Sequence, residues 1–83
     1  MGIFKRLRRS ASRTRYKIRI ITEDGDELFW HKRGQIHVVD EDVAKVFVAN
    51  FKRELFQVLP DGSLQPPQPG KTKPIEKIEM VKV

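Results

Sequence analysis

The 83-residue sequence contains no cysteine, which excludes disulfides and thiolate-bound metals as supports for a small fold. A chain of this length buries only about 60–65% of the surface its unfolded form exposes, so stability has to come from apolar packing alone. Absence of cysteine also fits a reducing compartment. No apolar run approaches the ~18–20 residues that span a bilayer, and the charged N-terminus has no apolar stretch behind it, so neither a membrane span nor secretion is expected. The expected setting is cytoplasmic, or inside a nucleoprotein or virion assembly. Gly2 stands where a myristoylation signal needs it, but Arg6 occupies the position that wants Ser or Thr.

The groups that catalysis requires are equally sparse. There are two histidines, His31 and His37, flanking the Arg33-Gly34 turn. Two imidazoles do not hold a zinc ion without a third ligand, and both are read as strand-surface residues. Ser10, Ser12 and Ser63 fall in turn or tail segments with no nucleophile elbow, and no phosphate-cradling glycine loop is present. Glu23, Asp24, Asp26 and Glu27 cluster, but they flank a hairpin turn rather than line a water-excluding pocket that would separate their pKa values. An enzyme is therefore not expected, and no cofactor or metal is implied.

What the sequence has in excess is positive charge, segregated to one end. Residues 1–19 hold eight cations (Lys5, Arg6, Arg8, Arg9, Arg13, Arg15, Lys17, Arg19) and no acid, whereas residues 20–83 hold nine cations against eleven acids, a net of −2. Six of those eight are Arg, whose planar fork binds phosphate bidentately and stacks on bases. Segregation of this kind points to a partner that meets the basic end.

Hydrophobic periodicity divides the chain into a basic arm (1–14), an α+β core (15–65), a Pro-rich linker (66–74) and a C-terminal strand (75–83). In the arm, Ile3, Phe4, Leu7 and Ala11 share one side of a helical wheel opposite Lys5, Arg6 and Arg9, in a piece too short to be a stable isolated helix. Tyr16, Ile18 and Ile20 alternate with Lys17 and Arg19, the period-two pattern of a strand with one buried face. Asp24-Gly25 makes the hairpin turn, Glu27 to Lys32 the return strand and Gln35 to Val39 a third. In the return strand Leu28 and Trp30 lie on one face, Phe29 and His31 on the other.

A helix follows, with Asp40 as N-cap and Glu41 and Asp42 in the first turn, where the dipole favours acids. Its apolar face is Val43, Ala44, Phe47, Val48, Phe51 and Leu55, and Lys52 and Arg53 complete its last turn. Phe56 to Leu59 reads as a short strand ended by Pro60-Asp61-Gly62. Residues 66–74 carry four of the five prolines and read as a stiff, extended connector. In the final segment Ile78 and Met80 share one phase and Ile75, Val81 and Val83 the other. A strand apolar on both faces needs cover on both, which favours pairing of Ile75–Val83 with a neighbouring chain.

The expected fold is thus α+β: a small antiparallel sheet of three to five short strands with one packed helix, a basic N-terminal arm and a Pro-linked C-terminal tail. The leading functional expectation is a non-enzymatic binding or assembly module. It would engage a polyanion, a nucleic-acid backbone read without base specificity. Lys5, Arg6, Arg8, Arg9, Arg13, Arg15, Lys17 and Arg19 would supply the contacts, extended by Lys32 and Arg33 at the second turn. Phe29 and His31 beside them suggest a base-stacking platform. Docking on an acidic protein neighbour, resting on an anionic membrane through Ile3, Phe4 and Leu7, and a merely solvated terminus stay open. The alternative is a structural subunit of a virion or other oligomer whose arm and C-terminal strand lie on neighbouring copies.

Overall fold

The computed structural model describes residues 14–83. The arm cations Lys5, Arg6, Arg8, Arg9 and Arg13 and the amphipathic pattern of Ile3, Phe4, Leu7 and Ala11 lie outside the described residues. The fold is α+β, one helix on an antiparallel sheet. Its elements are β1 (Arg15–Thr22), β2 (Glu27–Phe29), β3 (His31–Lys32), β4 (Gln35–Ile36), β5 (Val38–Asp40), α1 (Glu41–Asn50), β6 (Gln57–Val58), β7 (Leu64–Gln65) and β8 (Lys73–Lys82). The main sheet runs β2-β1-β8-β6-β7, with β5 also on β1, and β3 and β4 form a separate hairpin.

β1 is the organising strand, because its alternation drives Ile18, Ile20 and Thr22 into the interior and leaves Lys17, Arg19 and Ile21 on the opposite face. The expected three-stranded meander differs in detail: the return strand breaks at Trp30 and the third strand at His37. Trp30 N donates to Ile18 O (2.9 Å) and Trp30 O accepts from His37 N (2.9 Å). The chain therefore leaves the sheet at Trp30, makes the β3–β4 hairpin, and rejoins β1 at β5. β2 pairs with Arg19–Ile21 and β5 with Arg15–Lys17, so the two lie end to end along one edge of β1 with the hairpin projecting between them. The hairpin turn needs positive φ at both central residues, and Arg33 (φ 55) and Gly34 (φ 80) have it.

α1 is shorter than the apolar pattern suggests. It ends at Asn50, and Phe51 is extended (φ −66, ψ 135), so Lys52, Arg53 and Leu55 lie beyond it. Asn is a weak helix former, and the Asn50 side-chain amide donates to Val46 O (2.9 Å). Leaving the helix there keeps the Phe51 ring against the core. Asp40 makes no side-chain capping bond; its carboxylate instead pairs with Arg15 Nε at 3.1 Å. The acids Glu41 and Asp42 do occupy the first turn. The buried face reads Ala44, Phe47, Val48, Phe51, the i, i+3, i+4, i+7 set, which leaves Val43 and Val46 outside at 53% and 61% exposure.

The Pro-rich linker is not an extended connector. Lys71 N and Thr72 N both donate to Gln68 O (2.9 and 3.0 Å), Gln68 N donates to Thr72 Oγ1 (2.9 Å), and Gly70 has φ 82. Pro followed by Gly suits the central pair of a type II turn, since only the second position needs positive φ. The segment therefore folds back, and β8 begins at Lys73, where it already pairs with β6.

β8 also resolves the two-phase pattern of the C-terminus. It pairs with β1 from Tyr16↔Lys82 to Ile21↔Lys77, and the register then shifts so that Thr22 faces Ile75. Glu76 is the extra residue, a β-bulge. Because of it, Ile75 and Ile78, three apart, both reach the core (2% and 8% exposed), joining Ile18, Ile20, Ala44 and Val58. The bulge thus turns Ile75 into the chain's own core. Val81 and Val83 remain on the outer face with Lys17 and Arg15.

Candidate polyanion-binding surface

Of the cations expected to bind a polyanion, those on β1 are engaged within the chain. Arg15 pairs with Asp40. Arg19 lies 3.3 Å from Glu79 and 3.8 Å from Glu27, and its Nε is buried without a hydrogen-bond partner. Lys17 Nζ sits 4.2 Å from the centroid of the Phe29 ring, a cation–π contact. On the outer sheet face Arg15 and Arg19 are therefore paired with carboxylates, and Lys17 lies over an aromatic ring. Phe29 is covered by Lys17, and His31 turns its Nδ1 onto Phe29 O (2.7 Å). The stacking platform expected from Phe29 and His31 does not assemble, because cross-strand neighbours on an open face satisfy one another first.

Lys32 and Arg33 behave differently. The β3–β4 hairpin carries them to the α1 side of the molecule, where no carboxylate among the described residues lies within ion-pair distance of either. There they rim an open groove of about 410 Å³, within the ~300–1,000 Å³ typical of ligand clefts. Its apolar wall is aromatic: Trp30, Phe47, Phe51 and Phe56. Trp30 and Phe47 stack almost parallel, with centroids 4.4 Å apart and planes 5° apart. Phe51 continues the row to Phe56 at 6.0 Å, and Phe56 is 37% exposed. Lys32 Nζ hangs 5.7 Å from the Trp30 ring centroid. Ser63 and Gln65, from the turn before β7 and from β7 itself, provide polar groups to the same groove.

Each of these residues is positioned by a local feature. Trp30 is held by its two backbone bonds at the strand break, and His37 packs edge-on against its ring at 4.7 Å. Burial in that position lowers the His37 pKa below its ordinary value, with the nearby Lys32 charge adding to the effect. Both histidines are thus half-buried packing elements rather than strand-surface residues. Across the groove, the Pro60-Gly62 turn is closed by Gly62 N donating to Leu59 O (2.9 Å) and clamped to β3 by His31 N donating to Gly62 O (3.0 Å). Asp61 accepts from Ser63 N (2.9 Å), and that bond lowers its pKa.

The acidic hairpin tip is a structural knot. The Thr22 hydroxyl donates to Asp24 and accepts from Asp26 N (2.9 Å), while Lys73 Nζ bridges Asp24 and Asp26. The Thr22 hydrogen bond, followed by that from Lys73, lowers the Asp24 pKa to about 2; the two carboxylates in turn raise the Lys73 pKa. This network satisfies the only polar side chain buried in the described core, Thr22.

The groove was not legible from residue types. Trp30, Phe47 and Phe51 sit at positions that read as core, and nothing in the order of residues shows that the chain leaves the sheet at Trp30. Comparison of the chain with protein-family models, curated proteins and solved structures gave no significant match in any of the three. No helix among the described residues is long and apolar enough to cross a membrane.

Proposed function

We propose that the chain is a non-enzymatic binding module that engages a polyanion, a nucleic-acid backbone held through phosphate without base-specific readout. The observation that carries this reading is the segregation of charge: eight cations and no acid in residues 1–19 against a net of −2 in the rest. Internal pairing of Arg15 and Arg19 moves the weight of the proposal onto Lys5, Arg6, Arg8, Arg9 and Arg13, with Lys32 and Arg33 as the cations the folded body adds. About six engaged cations would make log K fall with log salt at a slope near −5, a roughly thousandfold loss between 50 and 200 mM. The test is the Arg6→Ala, Arg8→Ala, Arg9→Ala, Arg13→Ala variant, titrated with nucleic acid across a salt series. The expected result is a slope shallower by about one for each cation that contacts phosphate; unchanged affinity and slope eliminate the proposal.

A second reading, a structural subunit of an oligomeric assembly, draws on the apolar strip of Val43, Val46 and Leu55, each more than half exposed. Exposed apolar area of this kind marks contact surfaces. Within the chain β8 is taken up by β1, so self-association through Ile75–Val83 would have to use that strand's outer edge. The Glu76 bulge and Arg53, which donates to Glu76 O (3.2 Å), both interrupt that edge. A single monomeric mass by sedimentation at high concentration removes self-assembly from consideration.

A further inference from the structure

We infer that the groove beside the β3–β4 hairpin takes an unpaired nucleobase, so that the protein prefers single-stranded nucleic acid to duplex. The inference rests on the polyanion reading and adds what the ligand must be for the groove to be used. Three features meet there. The wall is a run of aromatic rings ending in the exposed Phe56. The rim carries Lys32 and Arg33. Gln65 and Ser63, whose side chains carry an amide and a hydroxyl, line the same groove.

A purely apolar occupant would leave the rim cations without a partner. A polyanion lacking rings, such as a sulfated polysaccharide, would leave the aromatic wall bare. A nucleotide strand supplies both a phosphate for the rim and a π-face for the wall. In a duplex that face is buried in the base stack, so only an unpaired base can enter. The Gln65 amide and Ser63 hydroxyl each offer donor and acceptor, which suits any base edge and agrees with binding that is not sequence-specific.

One feature of the hairpin is costly for the fold and suits this use. Arg33 sits at φ 55, in the left-handed region that an L side chain occupies only at a cost, and where Asn or Gly is the usual choice for such a turn. Strained positions of this kind gather at binding sites, and this one aims a cation at the groove.

Trp30 is the single tryptophan of the chain and lines the groove, so its fluorescence reports occupancy. The full chain is titrated with an oligo(dT) of about 12 nucleotides, a duplex of the same length, and heparin, all at one salt concentration. Oligo(dT) is expected to quench Trp30 and to bind roughly tenfold tighter than duplex, the scale of one stacked base. Heparin is expected to bind without quenching. Phe56→Leu, which keeps apolar bulk but removes the π-face, should cost oligo(dT) about tenfold while leaving duplex and heparin unchanged, and Phe56→Trp should restore the preference. Equal affinity for oligo(dT) and duplex, or a Phe56→Leu variant that still prefers the single strand, overturns the groove assignment while the polyanion reading stands. Failure of all three ligands to bind overturns both.

Discussion

Gly62 shows how one residue fixes the groove's geometry. Its φ is +95, and a Cβ added there would come within 2.1 Å of Phe29 O and 2.7 Å of His31 Nδ1. The first of these is backbone in the strand beside it and cannot swing away. Gly62→Ala is therefore expected to lose about 2–4 kcal/mol from combined left-handed strain and overlap, read as a lower urea midpoint at unchanged m-value. His37 gives a pH signature at the same scale. Its folded-state pKa lies below the ordinary value of 6.5, so the unfolded chain takes up the proton first. Its contribution to stability is present above pH about 6.5 and declines as pH falls below it. The melting temperature should drop between about pH 7.5 and 5.5, and His37→Phe, which keeps an aromatic edge against Trp30, should flatten that drop. Asp24 titrates in a separate window: with its pKa lowered to about 2, its contribution is present above the ordinary 3.8 and fades only as pH falls toward 2.

At the scale of elements, β8 is the informative case. Its composition is strand-forming, and its apolar positions fall in two phases. What the pattern does not show is that a single inserted residue, Glu76, merges part of those phases. Removing Glu76 would leave Ile75 directly before Lys77 and still opposite Thr22, so the deletion would straighten the ladder without taking Ile75 out of the core. Ile75→Ala, by contrast, is expected to lose about 2–5 kcal/mol, the range seen on emptying a buried large aliphatic site. Glu76→Ala should stay within about 0.5 kcal/mol. Paired denaturant melts of the two substitution variants check this, and equal effects would refute the placement of Ile75 in the core. α1 illustrates the reverse difficulty: five residues of plausible helix pattern continue past Asn50, but periodicity carries no information about the packing that draws Phe51 out of the helix.

For the whole molecule, the decisive fact is that the first and last described strands are neighbours. β8 covers one edge of β1 for the full run from Tyr16 to Thr22, and two of the six core residues, Ile75 and Ile78, come from it. In a body this small no other element replaces them. A chain truncated after Thr72 should therefore give a disordered far-UV spectrum and collapsed amide dispersion rather than a folded core with a missing tail. A folded truncation would show that residues 15–65 form an independent domain that does not need β8.

The amino-acid order alone determined the α+β class, the buried face of β1, both tight turns at Gly25 and Gly34, the start of α1 and the asymmetry of charge. All of these follow from near-neighbour chemistry: side-chain alternation, positive-φ glycines, acids at a helix start and a simple count of cations. Tertiary structure decided which cations remain available, because Arg15 and Arg19 meet their carboxylates only through strand register. It also decided that Trp30 leaves the sheet, and that Trp30, Phe47 and Phe51, while packed against the core, border a groove together with Phe56. These depend on contacts between residues far apart in the chain, which no local pattern encodes.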